Sequence, residues 1–222
     1  PCRVRGGSVK RRAREPETLQ TISEVNAYLA AVPPRYRAAL SLAVWLGLRS
    51  GEVRGLRRRD LDLDKAVVHV RQGAVKVKGS WTTAQPKTAA GIRDVAIPPH
   101  LVPQLRAWLQ AHPPRPEGDL LFTARDGRTP LPDQTLRDAH RVAAQAVGRP
   151  ALTLHGPRHS HLTIVAQAGA TTAELMARAG HTAPTMALRY QHAASSRDQE
   201  LAQKLSSLAE QGEITSAEAV GK

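Results

Sequence analysis

Cysteine and long apolar segments are nearly absent from this 222-residue chain. Its one cysteine, Cys2, cannot form an internal disulfide, and a single cysteine fits a reducing compartment. The longest apolar run covers only residues 38–48, whereas a membrane-spanning helix needs about 20 residues. The first residues also lack the apolar stretch of a secretory signal. These absences argue against a disulfide-stabilised secreted domain and against a membrane protein.

Acidic residues are scarce as well. The chain has 19 Asp and Glu against 32 Lys and Arg, which gives a net charge of +13 and a pI near 10.9. An excess of this size favours a polyanionic partner, and nucleic acid in preference to an anionic membrane surface. Residues 1–17 have no acidic residue before Glu15 and no apolar periodicity. We expect them to form a solvated basic linker, or an arm that lies along DNA phosphates.

Helical periodicity dominates most of the remaining chain. Thr21-Ile-Ser-Glu24 is a capping box that opens a helix, and Pro33-Pro34 ends that helix and starts the next. The second helix is apolar nearly all round, which predicts a central position. Gly169 and Gly180 stand where helix C-caps belong. Further helices are predicted after Ser50, over residues 101–109, 133–147, 157–168, 172–179 and 184–190, and from about 196, where Leu201, Leu205 and Leu208 recur.

Between residues 64 and 98 the apolar period changes from about 3.6 to 2. Three strands are predicted, at Val67–Val70, at Val75–Val77 and at residues 92–97, with turns near 72–73 and 88–91. The expected fold class is mixed α+β, mainly α-helical, with a small three-stranded antiparallel sheet on one side. We expect residues 18–210 to form this domain and residues 211–222 to form a flexible polar tail.

Two short blocks near the C-terminus carry residues suited to attack on a phosphodiester. His155 and Arg158 lie in HGPRHSH at residues 155–161, and His181 and Tyr190 lie in GHTAPTMALRY at residues 180–190. Arginine binds phosphate oxygens as a fork, and histidine moves or shares protons near neutral pH. A tyrosine hydroxyl can act as a covalent nucleophile. In a strongly basic chain, this set points to a nucleic acid substrate.

A third block, GLRSGE at residues 47–52, strengthens this interpretation. By itself it indicates an ordinary helix pair between Arg49 and Glu52. It is followed, in order, by a strand region bearing Pro86-Lys87-Thr88, by H-x-x-R-H, and by GH with a tyrosine nine residues later. The ordered set resembles the catalytic domain of the tyrosine recombinases, also called phage-type integrases. The resemblance extends over about residues 18–193 and lies in the order and spacing of every block.

The resemblance implies a fold, a reaction and a role for each matching residue. The reaction would cleave a DNA strand through a 3′-phosphotyrosyl bond and leave a free 5′-hydroxyl. The implied roles are Arg49 and Arg158 on non-bridging phosphate oxygens, Lys87 as proton donor to the leaving 5′-oxygen, His155 as a helper in accepting the proton of the nucleophile Tyr190, His181 on a phosphate oxygen, and Glu52 as the supporting acid.

The same resemblance implies the partners. Members act on double-stranded DNA as tetramers of two dimers on paired sites, and accessory DNA-bending proteins are candidate further partners. The implied location is the bacterial or phage-infected cytoplasm, in association with the nucleoid, and no metal or other cofactor is implied. Leu46, Pro157 and Ala179 depart from residues common in the family. Members usually carry a helical DNA-clamping domain before the catalytic one, which residues 1–17 cannot supply. Because the chain also begins at proline, we expect a piece of a longer protein.

Two of these roles have competitors. Lys76 and Lys78, on the preceding strand, compete with Lys87 for the role of general acid. Tyr28 and Tyr36 compete with Tyr190, although aromatic residues on such early helices usually pack in the core. These alternatives stay open at the level of sequence.

The histidines also allow a metal interpretation. His155, His159 and His161 form H-x₃-H-x-H, and the first two share a helical face. No glutamate follows His155 as in H-E-x-x-H, and the chain has no cysteine cluster, so a zinc site is not favoured. We expect His159 and His161 to pack or to form hydrogen bonds on the helix after the active site.

Four further arginines are candidates for DNA contact. Arg57, Arg58 and Arg59 form a basic run that is either a solvated helix end or a backbone contact to DNA. Arg93, on the third predicted strand, is a similar candidate. Contacts of this kind position DNA and carry no sequence information.

The sequence as a whole predicts site-specific DNA strand exchange through a covalent tyrosine intermediate. A type IB topoisomerase uses the same residue types and also leaves a 3′-phosphotyrosine, so it is the alternative enzyme. A DNA-binding module without catalysis is the alternative outside the enzymes.

Overall fold

A computed structural model describes residues 17–113, 119–191, 202–203 and 205–207 of the chain. The predicted N-terminal arm, nearly all of the predicted last helix and the polar tail lie outside these residues. Within the described residues, no helix is long and apolar enough to cross a membrane.

The first two helices form where local sequence signals place them. Helix α1 (Ile22–Ala31) begins at Thr21, whose side chain accepts a hydrogen bond from the backbone N–H of Glu24 at 3.1 Å. Helix α2 (Pro34–Leu46) begins at a proline and is buried along most of its length. Its burial confirms the predicted central position, because it packs against α1 and against the later helices of the domain.

The turn after α2 requires glycine. Gly47 lies in the left-handed region at φ 68°. A β-carbon at this position would lie only 2.5 Å from Cδ2 of His161, so both the backbone angle and the close packing exclude a larger residue. The turn leads directly into the short helix α3 (Ser50–Gly55), whose N-cap is Arg49.

Five strands follow α3 and form two separate antiparallel sheets. They are β1 (Leu61–Asp62), β2 (Val67–Val70), β3 (Gly73–Val77), β4 (Ser80–Ala84) and β5 (Arg93–Ala96). Strands β1, β2 and β5 form a three-stranded sheet in the order β1-β2-β5. Strands β3 and β4 form a hairpin. The hairpin packs on α3, because a β-carbon on Gly55 would lie 2.7 Å from the Cα of Gly73.

The predicted three-stranded sheet is therefore present, but its strand assignment was wrong in part. Residues 75–77 belong to the hairpin and do not pair with β2. Strand β2 pairs instead with β5, as in Val68 opposite Val95. Strand β1 escaped prediction because it has two residues, and β4 because its sequence, SWTTA, has no apolar alternation.

Five more helices complete the described part of the chain. They are α4 (Val102–Ala111), α5 (Asp133–Ala146), α6 (Gly156–Gln167), α7 (Thr172–Ala179) and α8 (Pro184–Gln191). Each matches a predicted helix to within a residue or two. Gly180 caps α7 in the left-handed region at φ 63°, and Gly169 follows α6 at φ 103°. Both glycines stand where the sequence predicted helix ends.

The apolar residues form two clusters. The larger one lies between α1, α2, α4, α5 and the three-stranded sheet. The smaller one lies between α6, α7 and α8, and includes Leu162, Leu175 and the ring of Tyr190. The predicted nucleophile is thus held by the packing of three C-terminal helices against one another.

Tyr28 is a core residue and carries a buried polar contact. Its side chain is fully buried, and burial raises the pKa of its hydroxyl well above the usual range. The hydroxyl lies 2.8 Å from Nδ1 of His140, whose Nε2 lies 2.8 Å from the carbonyl oxygen of Leu152. A neutral His140 that donates from Nε2 and accepts at Nδ1 satisfies all three groups. Tyr28 therefore packs, as the sequence suggested, and is not accessible as a nucleophile.

Replacing Tyr28 by phenylalanine is expected to lower the free energy of unfolding by about 1–3 kcal/mol, because Nδ1 of His140 is left buried without its donor. The midpoint of chemical denaturation measures this loss. Tyr36→Phe is the matched control, since the Tyr36 ring is only half-buried, and should change stability by less than about 0.5 kcal/mol. Equal shifts for the two variants would contradict the importance of the buried bond.

Candidate active site

Five of the predicted site residues meet at the junction of α3, α6, α7 and α8. Arg49 is the N-cap of α3, His155 is the N-cap of α6, and Arg158 lies in the first turn of α6. His181 follows the glycine cap of α7, and Tyr190 lies near the end of α8. Electrostatic interactions of Arg158 with both Arg49 and Tyr190 place these groups in one centre. Folding brings the block at residues 47–52 together with two blocks that lie more than 100 residues later in the chain.

Arg158 is the most deeply buried member, with only 2% of its surface exposed. Its guanidinium donates hydrogen bonds to the carbonyl oxygens of Gly47 and Ala179, the latter at 2.6 Å. It also lies 3.1 Å from Nε2 of His181. Burial, and then the charge of Arg49, lower the pKa of Arg158 to about 9, so it stays protonated at neutral pH. The side chain fixes the ends of α2 and α7 on either side of the site.

Glu52 organises the opposite side of the site. One of its oxygens accepts from Nη1 of Arg49 at 2.7 Å, and the other accepts from the backbone N–H of Arg49 at 2.8 Å. The guanidinium of Arg93 binds both oxygens at 2.9 Å. Burial acts to raise the pKa of Glu52, but the hydrogen bonds and charge of Arg93, together with Arg49, outweigh it and lower the pKa. Glu52 is therefore an anion at neutral pH, in keeping with its predicted supporting role.

Arg49 reaches toward solvent from this arrangement. About a third of its side chain, 37%, is exposed, and its second terminal nitrogen donates to the carbonyl oxygen of Gly180 at 3.0 Å. The two arginines predicted as a pair thus differ in depth. Arg158 lies beneath the surface, and Arg49 lies above it, where an incoming phosphate would meet it first.

His155 and His181 are neutral at pH 7, because the pKa of each is lowered to about 4. Burial, followed by the charge of Arg158, lowers the pKa of His181 to about 4. Nδ1 of His181 is buried and has no hydrogen-bond partner within the described residues. Because Nε2 faces a donor on Arg158, the proton of the neutral ring belongs on Nδ1. The ring therefore presents an N–H donor that an oxygen ligand would satisfy.

The hydroxyl of Tyr190 is bound to a histidine that the sequence analysis did not assign to catalysis. Nδ1 of His159 lies 2.5 Å from the Tyr190 hydroxyl oxygen. The ring of His155 lies one helical turn earlier and contacts that of His159 edge-on, with centroids 4.7 Å apart. The motif H-x-x-R-H was the sequence feature that could have pointed to His159, since its second histidine falls on the same helical face as the first.

The third histidine of that block has a structural contact. Nε2 of His161 accepts a hydrogen bond from Nε of Arg178 at 2.8 Å. Among the described residues, no group of three or more possible metal ligands is found. His155 and His159 of this block lie in the site, whereas His161 holds α6 against α7.

Lys87 belongs to a segment outside the helices that carry the other site residues. It is exposed and follows β4, in the segment that leads to β5. This segment is anchored close to the site, because a β-carbon on Gly180 would lie 2.8 Å from the carbonyl oxygen of Ala90. Lys78, by contrast, is at the tip of the β3–β4 hairpin, and Lys76 lies one residue before the end of β3. Lys87 is thus the lysine on the segment that approaches the site at Gly180.

The arginines proposed for DNA contact have protein partners of their own. Arg57 pairs with Asp60 at 2.7 Å, and Arg58 donates to the carbonyl oxygens of Leu109 and His112. Arg93 corrects the expectation most clearly, because its side chain is only 7% exposed and it is bound to Glu52.

Arg59 differs from these three. Its side chain is 68% exposed, with one contact to Asp119 at 3.3 Å. Of the four arginines proposed for DNA contact, Arg59 is the one whose side chain extends into solvent.

Comparison with known proteins agrees with this geometry. The family described as phage integrase matches residues 14–197 of the chain. The putative prophage phiRv2 integrase of Mycobacterium tuberculosis is 41% identical over 215 residues, which cover 96% of this chain and 57% of that protein. The integrase of Mycobacterium phage L5 is 36% identical over 214 residues, covering 94% and 56%. The chain thus spans a little over half the length of these relatives.

Solved structures show the same fold. The Tn1549 transposon integrase in complex with transposon right end DNA aligns with a TM-score of 0.72 at 20% identity, over 85% of this chain and 67% of that one. The XerA recombinase aligns with a TM-score of 0.68 at 23% identity, over 89% and 66%. Since the family match covers most of the chain and includes every block of the site, this protein belongs to the phage integrase family of tyrosine recombinases.

Proposed function

We propose that the chain is the catalytic part of a site-specific recombinase that cuts and rejoins double-stranded DNA. The observation that carries the proposal is the setting of Tyr190, a nucleophile whose hydroxyl is bound to a histidine beside two arginines. Glu52 is the carboxylate that faces these cations, and both of its oxygens are already bound by Arg49 and Arg93. A phosphate diester supplies the negative charge that this centre lacks.

The proposed reaction begins with attack of the Tyr190 oxygen on phosphorus. Negative charge then builds on the non-bridging oxygens of a five-coordinate transition state, where Arg49 and Arg158 stabilise it as planar forks. The Nδ1–H of His181 donates to one of the same oxygens. A histidine in the first turn of α6 takes the tyrosine proton, and Lys87 gives a proton to the departing 5′-oxygen. The phosphotyrosyl bond keeps the energy of the broken linkage, so religation requires no ATP.

The wider activity belongs to the same proposal. The relatives are called integrases, so we propose strand exchange between paired DNA sites by a tetramer of this protein, on nucleoid DNA and with accessory DNA-bending proteins. Residues 1–17 would add basic contacts along the DNA, and residues 18–210 would supply the catalytic unit. Arg59 is the proposed backbone contact.

Two experiments separate the alternatives. Synapsis of two DNA sites by the chain distinguishes a recombinase from a type IB topoisomerase, which reseals its own strand. Covalent trapping on DNA nicked next to the scissile phosphate distinguishes either enzyme from a module that only binds DNA. The absence of trapping would refute the proposed chemistry.

Tyr190→Phe is expected to bind DNA with near-normal affinity and to form no covalent adduct, because only a hydroxyl is lost. Gel retardation measures the affinity, and an SDS-resistant, protease-sensitive DNA complex reports the adduct. An adduct in this variant would show that another residue is the nucleophile. Tyr36→Phe serves as the control and should still form it.

Arg158→Lys is expected to lower the cleavage rate about 100-fold or more, with a much smaller loss of DNA affinity. Lysine keeps the charge but not the fork, and the fork matters most when charge spreads over two oxygens. Single-turnover cleavage and DNA binding are compared at a temperature where the variant is folded, since Arg158 also holds two backbone carbonyls. Equal losses of cleavage rate and DNA affinity would show that Arg158 only binds the phosphate and does not act specifically on the transition state.

Lys87→Ala is expected to be severely slow on normal DNA and to recover on DNA with sulfur at the bridging 5′ position. An alkoxide has a conjugate-acid pKa on the order of 15 and needs a proton, whereas a thiolate, with a pKa of about 8.5, leaves without one. Arg49→Ala is the matched control and should recover little, because its proposed partners are the non-bridging oxygens. Equal impairment of Lys87→Ala on both substrates would transfer the role to Lys76 or Lys78.

A further inference from the structure

Two histidines lie one turn apart at the start of α6. His155 is the N-cap, and His159 follows four residues later on the same face, with their rings in edge-on contact. Their surroundings differ. His155 is near Arg158 and Arg49, whereas His159 faces α8, where its Nδ1 lies 2.5 Å from the Tyr190 hydroxyl. Within the part of the chain that the structure describes, the hydrogen bond seen at the reacting oxygen is the one to His159.

We propose that His159, rather than His155, accepts the proton of Tyr190 as its oxygen attacks phosphorus. This inference rests on the proposed function and deepens it by naming the general base. A general base must lie within hydrogen-bond reach of the proton that it takes, about 2.6–3.2 Å between heavy atoms or somewhat less for a short bond. His159 meets this condition before any DNA is bound. The packing of the Tyr190 ring between α6, α7 and α8 holds the two groups together.

The electrostatics of His155 oppose its protonation. Desolvation by the neighbouring protein atoms, followed by His159 and then by the charges of Arg158 and Arg49, lowers the pKa of His155 to about 4, although the residue is exposed at the surface. These groups all oppose a positive charge on His155 at the α6 N-cap, and the favourable effect of Glu52 is smaller than any of theirs. His155 is better suited to stay neutral beside the phosphate.

Bound DNA would improve His159 as a base. Arg158, Arg49 and Arg93 are cations around the centre, and protonation of His159 adds another positive charge to them. A phosphate between the two arginines offsets that charge. Activation of the tyrosine is then coupled to the arrival of its substrate, because the proton moves most readily when the phosphate is in place.

The proton balance follows from this assignment. In cleavage the O–H bond of Tyr190 breaks, its proton goes to Nδ1 of His159, the oxygen–phosphorus bond forms, and the bond from phosphorus to the 5′-oxygen breaks. Lys87 supplies the proton for that 5′-oxygen. In religation the 5′-hydroxyl oxygen attacks phosphorus and its proton returns to Lys87, while the phosphotyrosyl bond breaks and His159 returns its proton to the phenolate oxygen. No oxidant, reductant or further reactant is needed.

His159→Asn separates proton transfer from positioning. The asparagine side-chain oxygen lies close to the place of Nδ1 and can accept the hydrogen bond, but it cannot carry the proton away. We expect this variant to bind DNA with near-normal affinity and to cleave about 100-fold to 10,000-fold more slowly. His155→Asn is the matched variant on the same turn.

The decisive measurement replaces Tyr190 by a ring-fluorinated tyrosine, whose phenol ionises near neutral pH and needs no base. Most of the rate lost in His159→Asn should return with this nucleophile, and His155→Asn should show no comparable return. An unaltered rate in His159→Asn, or a loss that fluorination does not restore, would overturn the assignment. Recovery in His155→Asn alone would transfer the role to His155.

Two controls keep this result separate from the proposed function. The unsubstituted chain must form the covalent adduct on nicked DNA, and failure there would refute the proposed function and the base assignment together. Nitrogen-15 NMR of His159 in the intact chain tests the contact without catalysis. The Nδ1 resonance should shift in Tyr190→Phe, and an identical resonance would show that the hydroxyl is not bound to this ring, which overturns the assignment.

Discussion

The burial of two arginine side chains is the constraint on which the rest of the structure depends. A guanidinium taken out of water must be paired and hydrogen-bonded, or it costs several kcal/mol. Arg93 is met by the two oxygens of Glu52, and Arg158 by the carbonyl groups of Gly47 and Ala179. These partners lie on α3, at the end of α2 and at the end of α7. The charges can be buried only if those elements meet, and their meeting forms the site.

Desolvation of the charged groups also sets the chemical character of the site. Desolvation lowers the pKa of Arg158, His155 and His181, so the site holds its positive charge at a cost and keeps these two histidines neutral. Such a centre gains free energy when an anion enters it. A phosphate diester would restore charge balance and supply an acceptor for the Nδ1–H of His181. The groups that we propose to stabilise the transition state are therefore in place before a substrate arrives, as electrostatic preorganisation requires.

Lys87 differs from Arg93 and Arg158 in its exposure to solvent. It is exposed, on the segment between the β3–β4 hairpin and β5, and only the far end of that segment packs against Gly180. A proton donor to the leaving oxygen is needed only when DNA lies across the site, so it can approach from outside. Arg93 connects the segment of Lys87 to the buried site, since its guanidinium binds Glu52 and also donates to the carbonyl oxygens of Gly91 and Arg178. Arg93, which the sequence suggested as a DNA contact, thus supports the site from beneath by holding Glu52 and the end of α7.

The sequence by itself determined the helices, their caps and the family-like blocks, because apolar periodicity, prolines and glycines such as Gly180 act over a few neighbouring residues. It also indicated that Tyr28 packs. Only the tertiary structure decided that β2 pairs with β5 and that Arg93 faces inward. It also decided that His159 binds the hydroxyl of Tyr190, 31 residues away. Contacts between distant residues depend on how whole elements pack, and that packing leaves no local pattern from which a partner can be read.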